Sequence, residues 1–168
     1  MTKEIIIDGE LVTLQIWDTA GQERFLSLGV SFYKGSECCA LVYDITNPKS
    51  FESITKWKDE FLMQASPKDT SSFPFILIGN KVDKESERKV NATKAIQWCK
   101  LNGEIAFFEA SAKDATNVSN IFEKMARDGL RNMKSNDIFT PLKQEPNIKL
   151  DSTQLGISKA QGNSGCKC

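Results

Sequence analysis

Histidine is missing from all 168 residues, which excludes imidazole acid–base catalysis and histidine metal sites. No apolar run approaches the roughly 18–20 residues needed to span a bilayer. Net charge is missing too, with 22 Lys and Arg against 22 Asp and Glu, so no general electrostatic hold on nucleic acid is expected. The opening Met-Thr-Lys-Glu-Ile has no apolar signal-peptide core, and Thr2 stands where myristoylation needs glycine. The expectation is a cytosolic compartment. Cysteine is scarce and odd in number, five in all; Cys38, Cys39 and Cys99 lie in apolar segments and read as reduced core residues.

What is present is an alternation of strands and helices. Residues 3–18 read as a hairpin, because Asp8-Gly9 separates two apolar runs. Residues 22–33 read as a short, irregular helix with Phe25, Leu28, Phe32 and Tyr33 as its apolar positions. Residues 38–43 are continuously apolar and end at Asp44, the pattern of a strand covered on both faces. Ser50 is placed to cap a helix reaching about residue 65, and residues 73–78 form a second buried strand ending at Gly79-Asn80. A charged loop covers residues 84–90. Asn91 caps a helix of about ten residues, residues 105–108 make a further strand, and Asn117 caps a last helix running to about residue 134. Such alternation argues for an α/β fold with a parallel sheet and right-handed crossovers. Residues 135–168 lose the apolar period and read as a flexible tail, with four Lys against three acids, too few for a polybasic membrane segment.

Three strand ends carry chemistry. The run through Trp17 stops at Asp18, followed by Thr19-Ala20-Gly21-Gln22-Glu23. A carboxylate at the carboxyl end of a strand suits Mg²⁺, Gly21 offers an unobstructed N–H, and Gln22 can orient a water. An ordinary capped turn accounts for Asp18 and Gly21 equally well. Asn80-Lys81-Val82-Asp83 follows a buried strand directly. The Asp83 carboxylate can accept from both N1–H and the exocyclic amine of guanine, a donor pair adenine lacks, while the Lys81 stem can pack along the base. A surface turn remains the alternative. Ser111-Ala112-Lys113 follows the next strand, and its small residues let backbone N–H groups approach a base carbonyl. Alone this is a turn into the last helix; its weight comes from lying on the strand end after Asn80.

Taken together, residues 3–134 resemble the Rab branch of the Ras-like GTPases. The resemblance rests on residues 14–25 (Leu-Gln-Ile-Trp-Asp-Thr-Ala-Gly-Gln-Glu-Arg-Phe), on Phe32-Tyr33-Lys34-Gly35, on residues 41–46 (Leu-Val-Tyr-Asp-Ile-Thr) and on the two base-recognition motifs. Residues 58–67, Cys38-Cys39 and residues 148–151 are most similar to the late-endosomal and lysosomal Rab branch, the seventh of that set. The resemblance implies a switch that binds GTP or GDP with Mg²⁺, hydrolyses GTP, and works on the cytoplasmic face of late endosomes and lysosomes. It implies that Asp18 serves Mg²⁺ through water, Gly21 senses the γ-phosphate and Gln22 positions the attacking water. Asn80, Lys81, Asp83, Ser111, Ala112 and Lys113 then hold guanine. Trp17 and Tyr33 belong to the surface that effectors read, although Trp17 also reads as a plain core aromatic. The implied partners are an exchange factor, an activating protein, a GDP-dissociation inhibitor, tethering effectors, and an escort protein with its prenyltransferase. The terminal Cys166-Lys167-Cys168 implies two geranylgeranyl groups as a membrane anchor; a two-cysteine metal scrap or a free thiol pair are the other readings.

One departure shapes the expectation. No Gly-x-x-x-x-Gly-Lys-[Ser/Thr] loop occurs in the 168 residues, nor the strand and helix that flank it in the family, nor a switch I threonine. The expected architecture is therefore a Ras-like sheet with helices on both faces that lacks its first strand, phosphate loop and first helix. It divides into a partial domain at 1–134 and a tail at 135–168. Such a chain is expected to be poorly stable and impaired in nucleotide binding. The alternative is a non-switching isoform or gene-model fragment that competes for prenylation machinery or effectors.

Overall fold

The computed structural model describes residues 1–19 and 33–138. Expectations for residues 20–32, Gly21 and Gln22 among them, and for the tail beyond residue 138 with Cys166 and Cys168, lie outside the described residues.

Strands β1 (Thr2–Ile7) and β2 (Glu10–Gln15) form the expected antiparallel hairpin. Asp8 (φ 51°) and Gly9 (φ 86°) make its tight turn, in the left-handed conformations that two-residue hairpins demand. The strand was expected to reach Trp17. It stops at Gln15, with one further pair in which Ile16 N–H donates to the Met1 carbonyl at 2.7 Å, because no residue of β1 lies opposite Trp17.

Strands β3 (Cys39–Asp44), β4 (Phe75–Asn80) and β5 (Ala106–Ala110) form a parallel three-stranded sheet in that order. The expected strand at 73–78 is shifted by two residues. Pro74 has no N–H to give a ladder, and its carbonyl instead accepts from Cys39 N–H at 3.1 Å. The single helix expected from Ser50 is two helices, α1 (Pro48–Glu52) and α2 (Ile54–Ala65). Asn47 is the true cap, accepting from Lys49 N–H at 3.1 Å, with Pro48 in the first turn where a missing N–H costs nothing. The Ser50 hydroxyl turns back to the Asn47 carbonyl at 2.6 Å instead.

Helix α3 (Ala92–Leu101) is capped by Asn91 as expected, its side chain accepting from Thr93 N–H at 2.8 Å. Helix α4 (Val118–Ile138) runs four residues beyond the expected end. Asn117 precedes it with φ 59°, but its amide donates to the Glu109 carbonyl at 2.7 Å rather than capping the helix, tying the helix start to β5.

Helices cover both faces of the parallel sheet. On one face Leu41, Tyr43, Phe75 and Leu77 pack with Phe51, Ile54, Phe61, Ala95 and Cys99 from α1–α3. On the other, Ile76, Ile78 and Ala110 meet Ile121 of α4. Burying each such aliphatic or aromatic side chain contributes roughly 1.5–3 kcal/mol. β3 departs from the expectation of cover on both faces: Val42 is 53% exposed. It sits on the sheet's edge strand, and the hairpin forms a separate sheet rather than pairing with it. The hairpin meets α4 through buried Ile7 and through exposed ion pairs, Arg127–Asp8 at 3.3 Å and Lys134–Glu10 at 2.9 Å. Pairs of that kind contribute about 0–1 kcal/mol. Among the described residues no helix is long and apolar enough to cross a membrane.

Candidate functional site

A cleft of about 300 Å³ opens at the carboxyl ends of β4 and β5, lined by Asn80, Lys81, Asp83, Lys84, Ala112 and Lys113. Ligands of open α/β sheets sit at this end of the strands. Its walls are two turns held together by side chains that the sequence separates widely. Asn80 Oδ1 accepts from its neighbour Lys81 N–H at 2.8 Å and from Ala112 N–H at 3.1 Å, so one amide oxygen fixes both turns. Ser111 is fully buried, and its hydroxyl donates to Asp83 Oδ1 at 2.7 Å while accepting from Lys113 N–H (3.2 Å) and Asp114 N–H (3.3 Å). Asp83 lies in the first turn of the 3₁₀ segment Val82–Glu87, is exposed and lines the cleft.

Lys81 has φ 73°, an uncommon conformation for a residue with a side chain, which throws the turn sharply out of the strand. Its ammonium pairs with Asp44 Oδ2 at 2.7 Å, which lays the aliphatic stem across the strand ends. Asp44 Oδ1 also accepts from the Thr46 N–H (2.8 Å) and hydroxyl (2.7 Å). Partial burial pushes the Asp44 carboxyl up, but the bonds from Lys81 and Thr46 outweigh it and leave it below its ordinary value. The same bond raises the Lys81 ammonium above its own.

The arrangement brings together all six residues expected to hold a base: Asn80, Lys81, Asp83, Ser111, Ala112 and Lys113. It does not bring Asp18 to them. Asp18 lies exposed beyond the end of β2 and is not part of the cleft lining. Trp17 is 56% exposed, so its ring is not a core aromatic. Tyr33 is half-buried, its ring 5.4 Å from that of Phe61.

Three residues of this region were not singled out from sequence. Asp44 holds Lys81, Lys84 lines the cleft, and Arg88 bridges Glu85 and Glu109 behind it. Asp44 carried the same signal as Asp18, an aspartate closing an apolar strand. Lys84 and Arg88 lay in what reads as a plain charged loop.

Chemically, the cleft presents a carboxylate and a rigid pair of turns to a planar ligand with adjacent donors. It has little to offer a metal. No group of three or more acidic or cysteine side chains able to hold a metal ion occurs among the described residues. Asp18 alone supplies one carboxylate, so these residues do not fit a self-sufficient Mg²⁺ site.

Comparison with known proteins bears on what this cleft is for. The family model described as Ras family matches residues 1–131. The Ras-related protein Rab-7a of Paramecium octaurelia is 60% identical over 141 residues, covering 84% of this chain and 68% of that protein. The Ypt/Rab-type GTPase ypt7 of Schizosaccharomyces pombe is 53% identical over 153 residues, covering 90% of this chain and 75% of its own. The Ras-related protein RABG3f of Arabidopsis thaliana is 48% identical over 170 residues, covering the whole of this chain and 78% of that protein.

Proposed function

The chain belongs to the Ras family, as a small GTPase of its Rab branch similar to Rab7 and Ypt7, and on that premise we propose that the cleft at residues 80–83 and 111–113 is its guanine-recognition site. Membership makes it a GTPase of membrane traffic, with GTP or GDP and Mg²⁺ as the family's ligands. One observation carries the assignment of the cleft. Asn80 and Ser111 cross-link two turns so that the Asp83 carboxylate and the Ala112 and Lys113 backbone converge on one opening. Asp83 accepts from the N1–H and 2-amino group of guanine. Lys81, drawn toward Asp44, lays its stem against the base.

The remaining roles extend this reading. By the family's pattern Gly21 would sense the γ-phosphate, Gln22 would orient the attacking water, and Asp18 would serve Mg²⁺ through water only alongside ligands these residues do not supply. Exposed Trp17 and half-buried Tyr33 contribute to the effector surface. Cys166 and Cys168 carry geranylgeranyl groups through an escort protein and prenyltransferase, and the tail from about residue 135 links that anchor to the domain. The site of action is the cytoplasmic face of late endosomal and lysosomal membranes. There an exchange factor, an activating protein, a GDP-dissociation inhibitor and tethering effectors act on the switch. What supports these roles is the family and the matching motifs.

The 168 residues hold the base-recognising half of a nucleotide site and no glycine-rich phosphate loop. A polypeptide of these residues therefore binds guanosine weakly and gains little from added phosphates. The test is titration of the ¹⁵N-labelled chain with guanosine, adenosine and GDP plus Mg²⁺, followed at the Lys81 and Ala112 amides. Guanosine should shift both, adenosine neither, and GDP should bind no more than severalfold better than guanosine. Equal shifts with adenosine overturn the guanine assignment; saturable, Mg²⁺-dependent, tight binding of GDP overturns the impairment.

A second reading is favoured by the separation of the hairpin from the parallel sheet and the exposure of Val42. The chain then acts, without switching, by occupying prenylation machinery or effectors. In-frame coding sequence for a phosphate loop upstream of Met1, spliced to this frame, would remove that reading.

A further inference from the structure

We propose that Arg88 is a positioning residue for base selectivity, holding the Asp83 segment against β5 so that the carboxylate is presented at a fixed angle to the base; this rests on the guanine reading of the cleft.

Arg88 closes the 3₁₀ segment Val82–Glu87 on the side opposite Asn80. Its guanidinium makes five hydrogen bonds. Nε donates to Glu85 Oε1 at 2.8 Å and Nη2 to Glu85 Oε2 at 2.6 Å. Nη1 donates to Glu109 Oε1 at 2.6 Å and Nη2 to Glu109 Oε2 at 3.1 Å, and Nη1 also reaches the Val90 carbonyl at 3.1 Å. The Arg88 side chain is only 18% exposed and that of Glu109 28%, so the fork to Glu109 is largely withdrawn from water, whereas Glu85 is 67% exposed and its fork lies at the surface. Fork-to-fork geometry of this kind fixes direction as well as distance.

The position of Glu109 gives the contact its consequence. It pairs in register with Gly79 of β4, and it lies two residues before Ser111 on β5. Ser111 in turn holds Asp83 from the other side at 2.7 Å. The Glu109 carbonyl accepts from Asn117 at 2.7 Å, which fixes that part of β5 to the start of α4. Just beyond Arg88, Lys89 N–H and Val90 N–H both donate to the Ile45 carbonyl at 2.9 Å, pinning the exit of the segment to the end of β3. The segment is thus clamped to β5 twice, once through Asp83 itself and once through Arg88. Asp83 is exposed and has Ser111 as its side-chain partner, so its orientation depends on how firmly the rest of its segment is held.

Selectivity needs such firmness more than affinity does. Stacking tolerates a shift of the loop. A two-point contact with N1–H and the 2-amino group does not, because an oxygen that swings away leaves one donor unpaired. Inosine keeps N1–H and loses the 2-amino group, so the guanosine-to-inosine preference reports the second contact alone.

The experiment measures binding of guanosine, inosine and adenosine to the 168-residue chain by amide shifts at Lys81 and Ala112, for the unaltered chain, Arg88→Lys and Glu109→Gln. Lysine keeps the charge and loses the fork. Glutamine keeps the shape of Glu109 and loses its charge, and serves as the second variant should Arg88→Lys unfold; circular dichroism checks both. Each variant should lower the guanosine-to-inosine preference about fivefold or more while inosine binding stays within about twofold, since only the contact to the 2-amino group is lost. A folded variant that retains the preference overturns the proposal and leaves the guanine site standing. A uniform loss for all three nucleosides also overturns it, showing a merely structural role. An unaltered chain that fails to favour guanosine over adenosine removes the guanine reading itself, and the proposal with it.

Discussion

The hydroxyl of fully buried Ser111 donates to Asp83 Oδ1 at 2.7 Å across 28 residues of sequence, joining the ends of two parallel strands into one wall of the cleft. Ser111 accepts two backbone N–H groups at the same oxygen. Ser111→Ala removes all three bonds at a site water cannot reach. The expected loss is about 1–2 kcal/mol, reduced from the cost of a fully buried network because Asp83 itself stays solvated. Urea unfolding measures it, and an unchanged midpoint would show that the wall is held by the backbone alone.

Gly79 and Tyr43 form a second tight relationship. A Cβ on Gly79 would lie 2.7 Å from the Tyr43 hydroxyl oxygen and 3.0 Å from the ring carbon that bears it. Gly79→Ala should destabilise by roughly 1–3 kcal/mol through overpacking. Among the described residues the Tyr43 hydroxyl is a buried polar atom with no hydrogen-bond partner. Tyr43→Phe should therefore be neutral or stabilising, since it removes a desolvated group that makes no bond. The two changes together should cost less than their sum, because the phenylalanine takes away the closest clashing atom. Additive effects in a double-mutant cycle would disprove the contact.

The pH dependence should be flat through neutrality, as no histidine is present to titrate. At the acid end, Asp44 and Glu85 titrate below their ordinary values in the fold, Asp44 against the upward push of its burial and Glu85 through its bond to Arg88. Their contribution is complete above the unfolded carboxylate range, near 4, and is lost as pH falls through the folded values. At the alkaline end the sign reverses. Burial pushes the Cys38 thiol up from 9.0 to about 12, Cys99 to about 11 and the Tyr43 phenol from 10.0 to about 12. The fold keeps these protons when the unfolded chain would lose them. Stability should be complete below about pH 9 and decline between pH 9 and 12. Denaturant unfolding across pH 3–11 checks both limbs; a decline centred near pH 6.5 would contradict the assignment.

Among the described residues β3 has no partner strand on its outer side, and this edge should make the chain prone to association. Val42 is 53% exposed there, and Ile6 (73%) and Leu11 (68%) form an exposed cross-strand pair on the hairpin. Val42→Lys should slow aggregation without lowering the unfolding midpoint by more than about 0.5 kcal/mol, as charged residues protect open edges. Light scattering at fixed concentration measures the first effect. No change in aggregation would place the sticky surface elsewhere.

Much of the fold could be read before any coordinate. Asp8-Gly9 specified the hairpin because only left-handed residues close a two-residue turn, and Asn91 specified the start of α3 because its amide oxygen meets a free N–H. Continuous apolar runs marked the parallel strands. Boundaries were less legible where one residue's bonding overruled the pattern. Pro74 delayed β4, Asn47 displaced Ser50 as a cap, and Asn117 turned its amide to Glu109 instead of to its own helix.

For the site, local sequence determined that Asp44 and Asn80 close their strands and that Ser111 follows the next one, whereas Asp18, which closes an apolar run in the sequence, lies three residues past the end of β2. Tertiary structure alone decided which of those ends meet. Parallel strands place residues 28 or 32 positions apart side by side, so Asp83 finds Ser111 and Asn80 finds Ala112, whereas Asp18, beyond the end of the separate hairpin, is absent from the cleft lining. The same holds for Arg88. In sequence it is one charge in a charged loop; in the fold it is two bidentate clamps, because β5 delivers Glu109 to it from 21 residues away.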